Sequence, residues 1–365
     1  MLELIAPHFS HNILIIFRHC PALPPYKGLV ISYSGEAQRT RRRFAMAALR
    51  NLGMGQFRIE ERMIHEINLL TERFKSYNGK PFSPFLLLES AFSNVLCSLV
   101  FGKRYDYDDP TLKGFLHLLN KVLKHGVQAG VVNFLPFLKY IPFTGARKLQ
   151  NIPEWRQFFE DIVSENAEDY IPNQPRNFID MYLDHQESMK IQDPDLAKAF
   201  DHDDLIRCLG DLFAAGTETS ANTTKWALQY MMMNPKIQTR VQDELDSVIG
   251  HDRVVSIKDR PNLPYTEATL MEVHRMSSIV PLGLPHAAKV DTSLNGYDIP
   301  KGTVVMSNIW AVHHDPKIWD NPGQFRPERF LDNEGGLQRR EELIPFSIGK
   351  NFVTKTSHTS GQIWE

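Results

Sequence analysis

Three stretches of the chain combine residue types that could do chemistry. The first is Ala214-Ala215-Gly216-Thr217-Glu218-Thr219, where small side chains would let a flat ligand approach a helix backbone beside a carboxylic acid and two hydroxyls. Glycine costs about 1 kcal/mol relative to alanine inside a helix, and a threonine hydroxyl can turn back onto a preceding carbonyl and bend the axis. An opening of that kind beside Glu218 has the ingredients of proton delivery. Taken from these residues alone, a packing notch between helices is favoured over a ligand site.

The second stretch is Glu272-Val273-His274-Arg275. An acid and an arginine three apart share one helix face and can pair. Exposed pairs contribute roughly 0–1 kcal/mol, so spacing alone favours a solvated face. The pair gains meaning if it is buried and completed by Arg329 of Pro327-Glu328-Arg329-Phe330, whose planar guanidinium suits a shared carboxylate. The third stretch is Arg39, Arg41, Arg42 and Arg43. On a helix these spread over more than one face, so one could turn inward to an anion while others face a partner.

Other patterns fail. His65-Glu66 has Leu69 where a zinc-protease helix needs histidine, and neither common glycine-rich phosphate loop occurs. Asn222-Thr223-Thr224 has the form of a glycosylation site but falls inside a predicted helix.

The elements that must position these residues are mostly helical from Glu36 to about Pro264. Long helices are predicted over Phe57 to Phe74, Asp109 to His125, Glu154 to Tyr170 and Asp203 to Met233, the last as one unbroken helix. Proline and glycine clusters at 80–84, 142–145, 172–175 and 234–235 read as stops. After Pro281 short strands are predicted over His286 to Val290, Thr292 to Ile299 with a turn at Asn295-Gly296, and Thr303 to Met306. A proline-rich meander follows, then a polar stretch at 351–365 that reads as an unstructured tail. The fold class is therefore mainly α with a small β-sheet.

The chain has 365 residues, 42% of them hydrophobic, enough for a sizeable core and too many for a disordered chain. Lys and Arg total 41 against 43 Asp and Glu, a net −2, so overall charge calls for neither nucleic acid nor an acidic membrane. The three cysteines, Cys20, Cys97 and Cys208, are too scattered for a disulfide framework or a cysteine-rich metal site. No apolar run reaches the roughly 18–20 residues of a membrane span, and Ile13 to Phe17 is too short for a secretory signal.

Taken in order, the pieces resemble the cytochrome P450 haem-thiolate monooxygenases, in particular the animal microsomal group. The resemblance runs over residues 21–350, through Arg42-Arg43-Phe44, Phe101-Gly102-Lys103-Arg104, Ala215-Gly216-Thr217-Glu218-Thr219, Glu272-Val273-His274-Arg275, Pro285-His286 and Pro327-Glu328-Arg329-Phe330. It leaves 1–20 as an unmatched segment and 351–365 as a tail outside the family. It implies the P450 fold, incomplete at both ends, and insertion of one oxygen atom from O2 into a lipophilic substrate such as a drug, steroid or fatty acid. The implied cofactor is haem, with electrons from NADPH through a reductase, at the cytosolic face of the endoplasmic reticulum membrane.

By the same resemblance Glu218 and Thr219 are the acid–alcohol pair that relays protons to iron-bound dioxygen. Arg42 and His286 hold the haem propionates, and Ala215, Gly216, Phe346 and Gly349 line the cofactor. Glu272, Arg275 and Arg329 form a buried ion-pair network, and the outer arginines of 39–43 dock the reductase. The departures are sharp. Gln38 stands where members carry a tryptophan four residues before the propionate arginine, and the segments that precede the matched region in the family are missing. After Phe346-Ser347-Ile348-Gly349-Lys350 the family continues with Arg, any residue, Cys, any residue, Gly; this chain reads Asn351-Phe352-Val353-Thr354-Lys355. Val353 occupies the position of the axial cysteine, whose thiolate push favours O–O cleavage. The expectation is a chain of monooxygenase type that is inactive for want of the axial cysteine, arising as a truncated or alternatively spliced product or from an uncorrected gene model; the alternative is a non-catalytic product with weak or no haem binding.

Overall fold

Nearly every face of the helix at Phe85–Val100 is buried, which makes it a core element rather than an amphipathic surface helix. Its polar side chains are accordingly spent on neighbours. Asn94 donates to the Tyr105 carbonyl at 2.8 Å and accepts from the Tyr105 N–H at 3.0 Å, and Ser90 donates to the Leu86 carbonyl at 2.8 Å. The computed structural model describes residues 14–17, 28–29, 35–55, 57–134, 153–251 and 253–348, with backbone only at 14–17, 57–58 and 125–134.

The helices in chain order are α1 (Glu36–Asn51), α2 (Phe57–Lys75), α3 (Phe85–Val100), α4 (Pro110–Phe134), α5 (Pro153–Glu168), α6 (Phe178–Gln192), α7 (Pro194–Ala197), α8 (His202–Gly216), α9 (Glu218–Met233), α10 (Pro235–Val248), α11 (Pro264–Ser277) and α12 (Ile309–His314). Their ends carry the expected chemistry. Asn177 caps α6 by accepting from the Asp180 N–H, Asp201 caps α8 through the Asp204 N–H, and proline opens α10 and α11 at the position where its missing N–H costs nothing.

The chain divides into two units, one of residues 23–221 with 363–365 and the other of residues 1–22 with 222–362. The core of the first is aromatic. Phe101 stacks on Phe213 at 4.8 Å, Phe115 meets Phe213 edge-on at 5.2 Å, and Trp155 meets Phe159 edge-on at 4.9 Å. Trp155 lies so close to α8 that a side chain at Gly210 would put its first carbon 2.8 Å from the indole nitrogen; only glycine fits there.

The second unit carries the strands β1 (Leu14–Phe17), β2 (His286–Ala287), β3 (Thr292–Leu294), β4 (Tyr297–Ile299) and β5 (Val304–Ser307). Three form an antiparallel sheet in the order β1-β5-β2, with Leu14 opposite Ser307 and His286 opposite Val305. The others form a hairpin whose turn residues Asn295 and Gly296 both have positive φ, 51° and 82°, as a tight hairpin turn of the right twist requires.

The mainly helical fold with a small antiparallel sheet is the class expected from the sequence. Four details differ. The helix expected over Asp203 to Met233 is two helices that part at Thr217. α4 runs on to Phe134, so Gly126 and Gly130 do not stop it. The strand expected over His286 to Val290 shrinks to two residues. α12, in a stretch with no periodic signal, was not anticipated; Asn308 caps it through the Ala311 N–H and Asp315-Pro316 follows its last turn. The turn at 142–145 and the tail at 351–365 lie outside the described residues.

Candidate functional site

α11 buries its acid and its arginine completely. Glu272 and Arg275 have no exposed side-chain surface, and Arg329 has 3%. The two Glu272 oxygens accept from Arg275 Nε at 2.8 Å and Nη2 at 2.9 Å, a bidentate fork. Oε1 also accepts from Arg329 Nε at 3.0 Å and from the Arg326 N–H at 2.9 Å.

Two cations thus share one anion, and backbone carbonyls take the surplus. Arg275 Nη1 donates to His313 O at 2.6 Å and Nη2 to Pro322 O at 2.9 Å; Arg329 donates to Asp320 O at 3.0 Å and Gln324 O at 3.1 Å. Trp319, also buried, lies 5.3 Å from the Arg275 guanidinium and 6.0 Å from that of Arg329. Burial depresses the Arg329 pKa more than Glu272 raises it. The arrangement ties the irregular Asp315–Phe330 stretch to α11. The solvated face that spacing favoured does not form, because these carbonyls and the apolar ring of Trp319 displace water from around the pair.

At the junction of α8 and α9, Thr219 Oγ1 donates to the Ala215 carbonyl at 2.6 Å, and Thr217, fully buried, accepts from Ser93 of α3 at 3.2 Å. Gly216 is buried, whereas Ala215, Glu218 and Thr219 keep partial exposure. The helix parts for the reasons the sequence contains, a glycine and a back-bonded threonine. Thr217 is a packing contact, buried against α3.

Of the arginine run, Arg41 is the one turned inward, and its anion is internal. Its Nη1 lies 3.3 Å from Asp204 Oδ1, the two side chains 7% and 0% exposed. Asp204 also accepts from the Gly28 N–H at 3.0 Å and the Tyr182 hydroxyl at 2.8 Å. Arg42 is half-buried, and Arg39 and Arg43 are exposed. No sequence signal singled out Asp204, which sits among the acids of the first α8 turn.

His286, on β2, is half-buried and desolvation lowers its pKa, so at neutral pH it offers a neutral N–H rather than a cation. Phe346 is 48% exposed with its ring 6.0 Å from that of His274. Gly349 and Val353 lie outside the described residues.

A thiolate-held haem needs a cysteine that gives up its proton. Cys97 and Cys208 are buried in the core of the first unit, with burial pushing both thiols up and Glu66 and Asp204 respectively adding to the effect. Both are protonated packing groups at neutral pH. Among the described residues no cluster of three His, Cys, Asp or Glu could hold a metal ion, and no helix is long and apolar enough to cross a membrane. Among the described residues neither cysteine presents a thiolate.

A cytochrome P450 family model matches residues 5–352. Cytochrome P450 2U1 of Rattus norvegicus is 42% identical over 328 residues, covering 89% of this chain and 61% of that protein. Cytochrome P450 2J5 of Mus musculus is 42% identical over 326 residues, covering 88% and 64%. The chain therefore spans about three fifths of the length of the curated relatives it matches. With that match and those identities behind the fold just described, the chain belongs to the cytochrome P450 family.

Proposed function

We propose that this chain is a P450 scaffold on which the family's oxidation does not run. One observation carries the reading: in the sequence that follows Phe346-Ser347-Ile348-Gly349-Lys350, Val353, an alkyl side chain with no donor atom, stands at the position of the axial cysteine. The two buried cysteines support it, since neither presents a thiolate.

The parent activity, in a chain carrying the cysteine, is insertion of one oxygen atom from O2 into a lipophilic substrate, with haem as cofactor and NADPH supplying electrons through a reductase. The setting is the cytosolic face of the endoplasmic reticulum. In such a chain Glu218 and Thr219 would hold and move protons, Arg42 and His286 would hold the haem propionates, and Ala215, Gly216, Phe346 and Gly349 would line the cofactor.

The test is to express the chain, add haem, reduce it and expose it to carbon monoxide. The expected result is no red-shifted thiolate-type band, and no product when a lipophilic substrate, NADPH and reductase are supplied. A thiolate band or turnover overturns the reading. The genomic sequence after the Lys350 codon gives a second check: a cysteine-containing continuation identifies this chain as a variant product of an active gene.

A further inference from the structure

His313 has no exposed surface and joins three parts of the second unit. Its Nε2 lies 2.9 Å from the Ile344 N–H, which donates to it. A nitrogen that accepts carries no proton, so the ring is neutral with its hydrogen on Nδ1. Nδ1 then donates to Ser278 Oγ at 2.8 Å, and Ser278 donates onward to the Arg275 carbonyl at 2.9 Å. The His313 carbonyl accepts from Arg275 Nη1. Ser278 is held in the left-handed region, at φ 38°, at the end of α11.

We propose that His313 is a positioning residue, a latch whose neutral imidazole holds the Ile344–Ile348 segment on α11 and α12 and lets it go on taking up a proton. A protonated ring presents N–H at both nitrogens. Its Nε2–H would then face the Ile344 N–H, two donors with no acceptor between them, and a buried amide would lose its partner. The remaining ties survive: Ile344 packs on Ile309 and Val312, Ser347 donates its N–H to Ile344 O at 2.9 Å, and the Ser307 and Ser347 hydroxyls lie 3.4 Å apart. Release is therefore local. The segment leads directly into the stretch where the family places its ligand loop.

The groups facing the ring disfavour its charge. Burial acts first, then His314 of the same helix and Arg275 and His274 of α11, and together they push its pKa down to about 3. Glu272, the acid of α11 near this cluster, is engaged by Arg275 and Arg329. Residues 343–346 carry no ionisable side chain, and Arg340 and Glu342 before them pair with each other at 3.3 Å.

The sign follows. Once the segment opens and the ring meets water its pKa returns to about 6.5, so opening binds a proton between about pH 6.5 and 3. The latch has full strength above that window, and its opening equilibrium grows about tenfold per pH unit within it.

The experiment is amide hydrogen exchange of the full chain between pH 7.5 and 5, corrected for the intrinsic rate. The expected result is that opening at Ile344 rises about tenfold from pH 6 to 5 while amides of α3, which contains no histidine, show no such slope. In His313→Gln, which cannot titrate, the Ile344 profile is expected to be flat. A flat profile in the parent chain, or a slope that persists in the variant, overturns the proposal. Should His313→Gln not fold, imidazole nitrogen shifts of the parent chain decide: the neutral Nδ1-protonated form through pH 5–8 upholds the latch, and a ring titrating near 6.5 in the folded chain removes it.

Discussion

Glu272→Ala is expected to cost the second unit about 3–5 kcal/mol, the scale of breaking a buried pair by removing one partner. The substitution takes the acceptor from Arg275 Nε and Nη2, Arg329 Nε and the Arg326 N–H together, and leaves two guanidinium cations without their anion. Against a typical total of about 5–15 kcal/mol, that is a large part of the stability. Urea unfolding reads it. Glu272→Gln should fall between, because it keeps acceptor oxygen and shape but not charge. Arg240→Ala supplies the contrast: its bond to Glu328 Oε1 at 3.0 Å joins side chains about half exposed, and its loss should stay within about 1 kcal/mol. A Glu272→Ala variant as stable as Arg240→Ala would remove the organising role from the network.

Asp204→Ala is the corresponding break in the first unit, again expected at about 3–5 kcal/mol. Arg41 would keep its charge in a side chain only 7% exposed, with the Ala199 carbonyl at 3.3 Å as its remaining partner among the described residues, and the Gly28 N–H and Tyr182 hydroxyl would lose their acceptor. Replacing both charges, as Arg41→Met with Asp204→Leu, should recover much of the loss, because well-packed apolar groups avoid the desolvation of two ions. A double variant no better than Asp204→Ala would show that the backbone contacts of Asp204, not its charge, matter most.

The pH dependence of Asp204 has its own sign. Desolvation raises the carboxyl pKa above the usual carboxylate range, outweighing Tyr182, Arg41 and the Gly28 N–H, which act in the opposite direction. A folded-state pKa above the unfolded one gives a contribution that is complete in acid and is lost as pH rises through the raised value. His313 works the other way, so the two units respond oppositely to mild acid at these positions.

The division of the structure into helices and a small sheet was legible because period and punctuation agree over most of the chain. The parting at Thr217 was half legible. Gly216 and Thr219 announced a weak point, but nothing in the sequence says that Ser93 would hold Thr217 from the side. Arg275 and Arg329 show the limit more plainly, since spacing cannot distinguish a buried pair from a wet one; only the fold brings Pro322, Gln324 and Asp320 carbonyls to the surplus charge. His313 was passed over because the stretch around it carries no periodic signal and no helix was expected there. Its role comes from Ile344, thirty-one residues away. Arg41 was indistinguishable from Arg42 until α8 placed Asp204 against it.

The two-to-one stoichiometry of the Glu272 network has a consequence for salt. Exposed pairs such as Lys75 with Glu72, both about two-thirds accessible, weaken as added electrolyte shortens the Debye length from about 10 Å at 0.1 M to about 3 Å at 1 M. The excess cation beside Glu272 is stabilised by carbonyl dipoles built into the chain, out of reach of dissolved ions. Brine strong enough to strip the surface of its pairing will leave that interior charge as it stands.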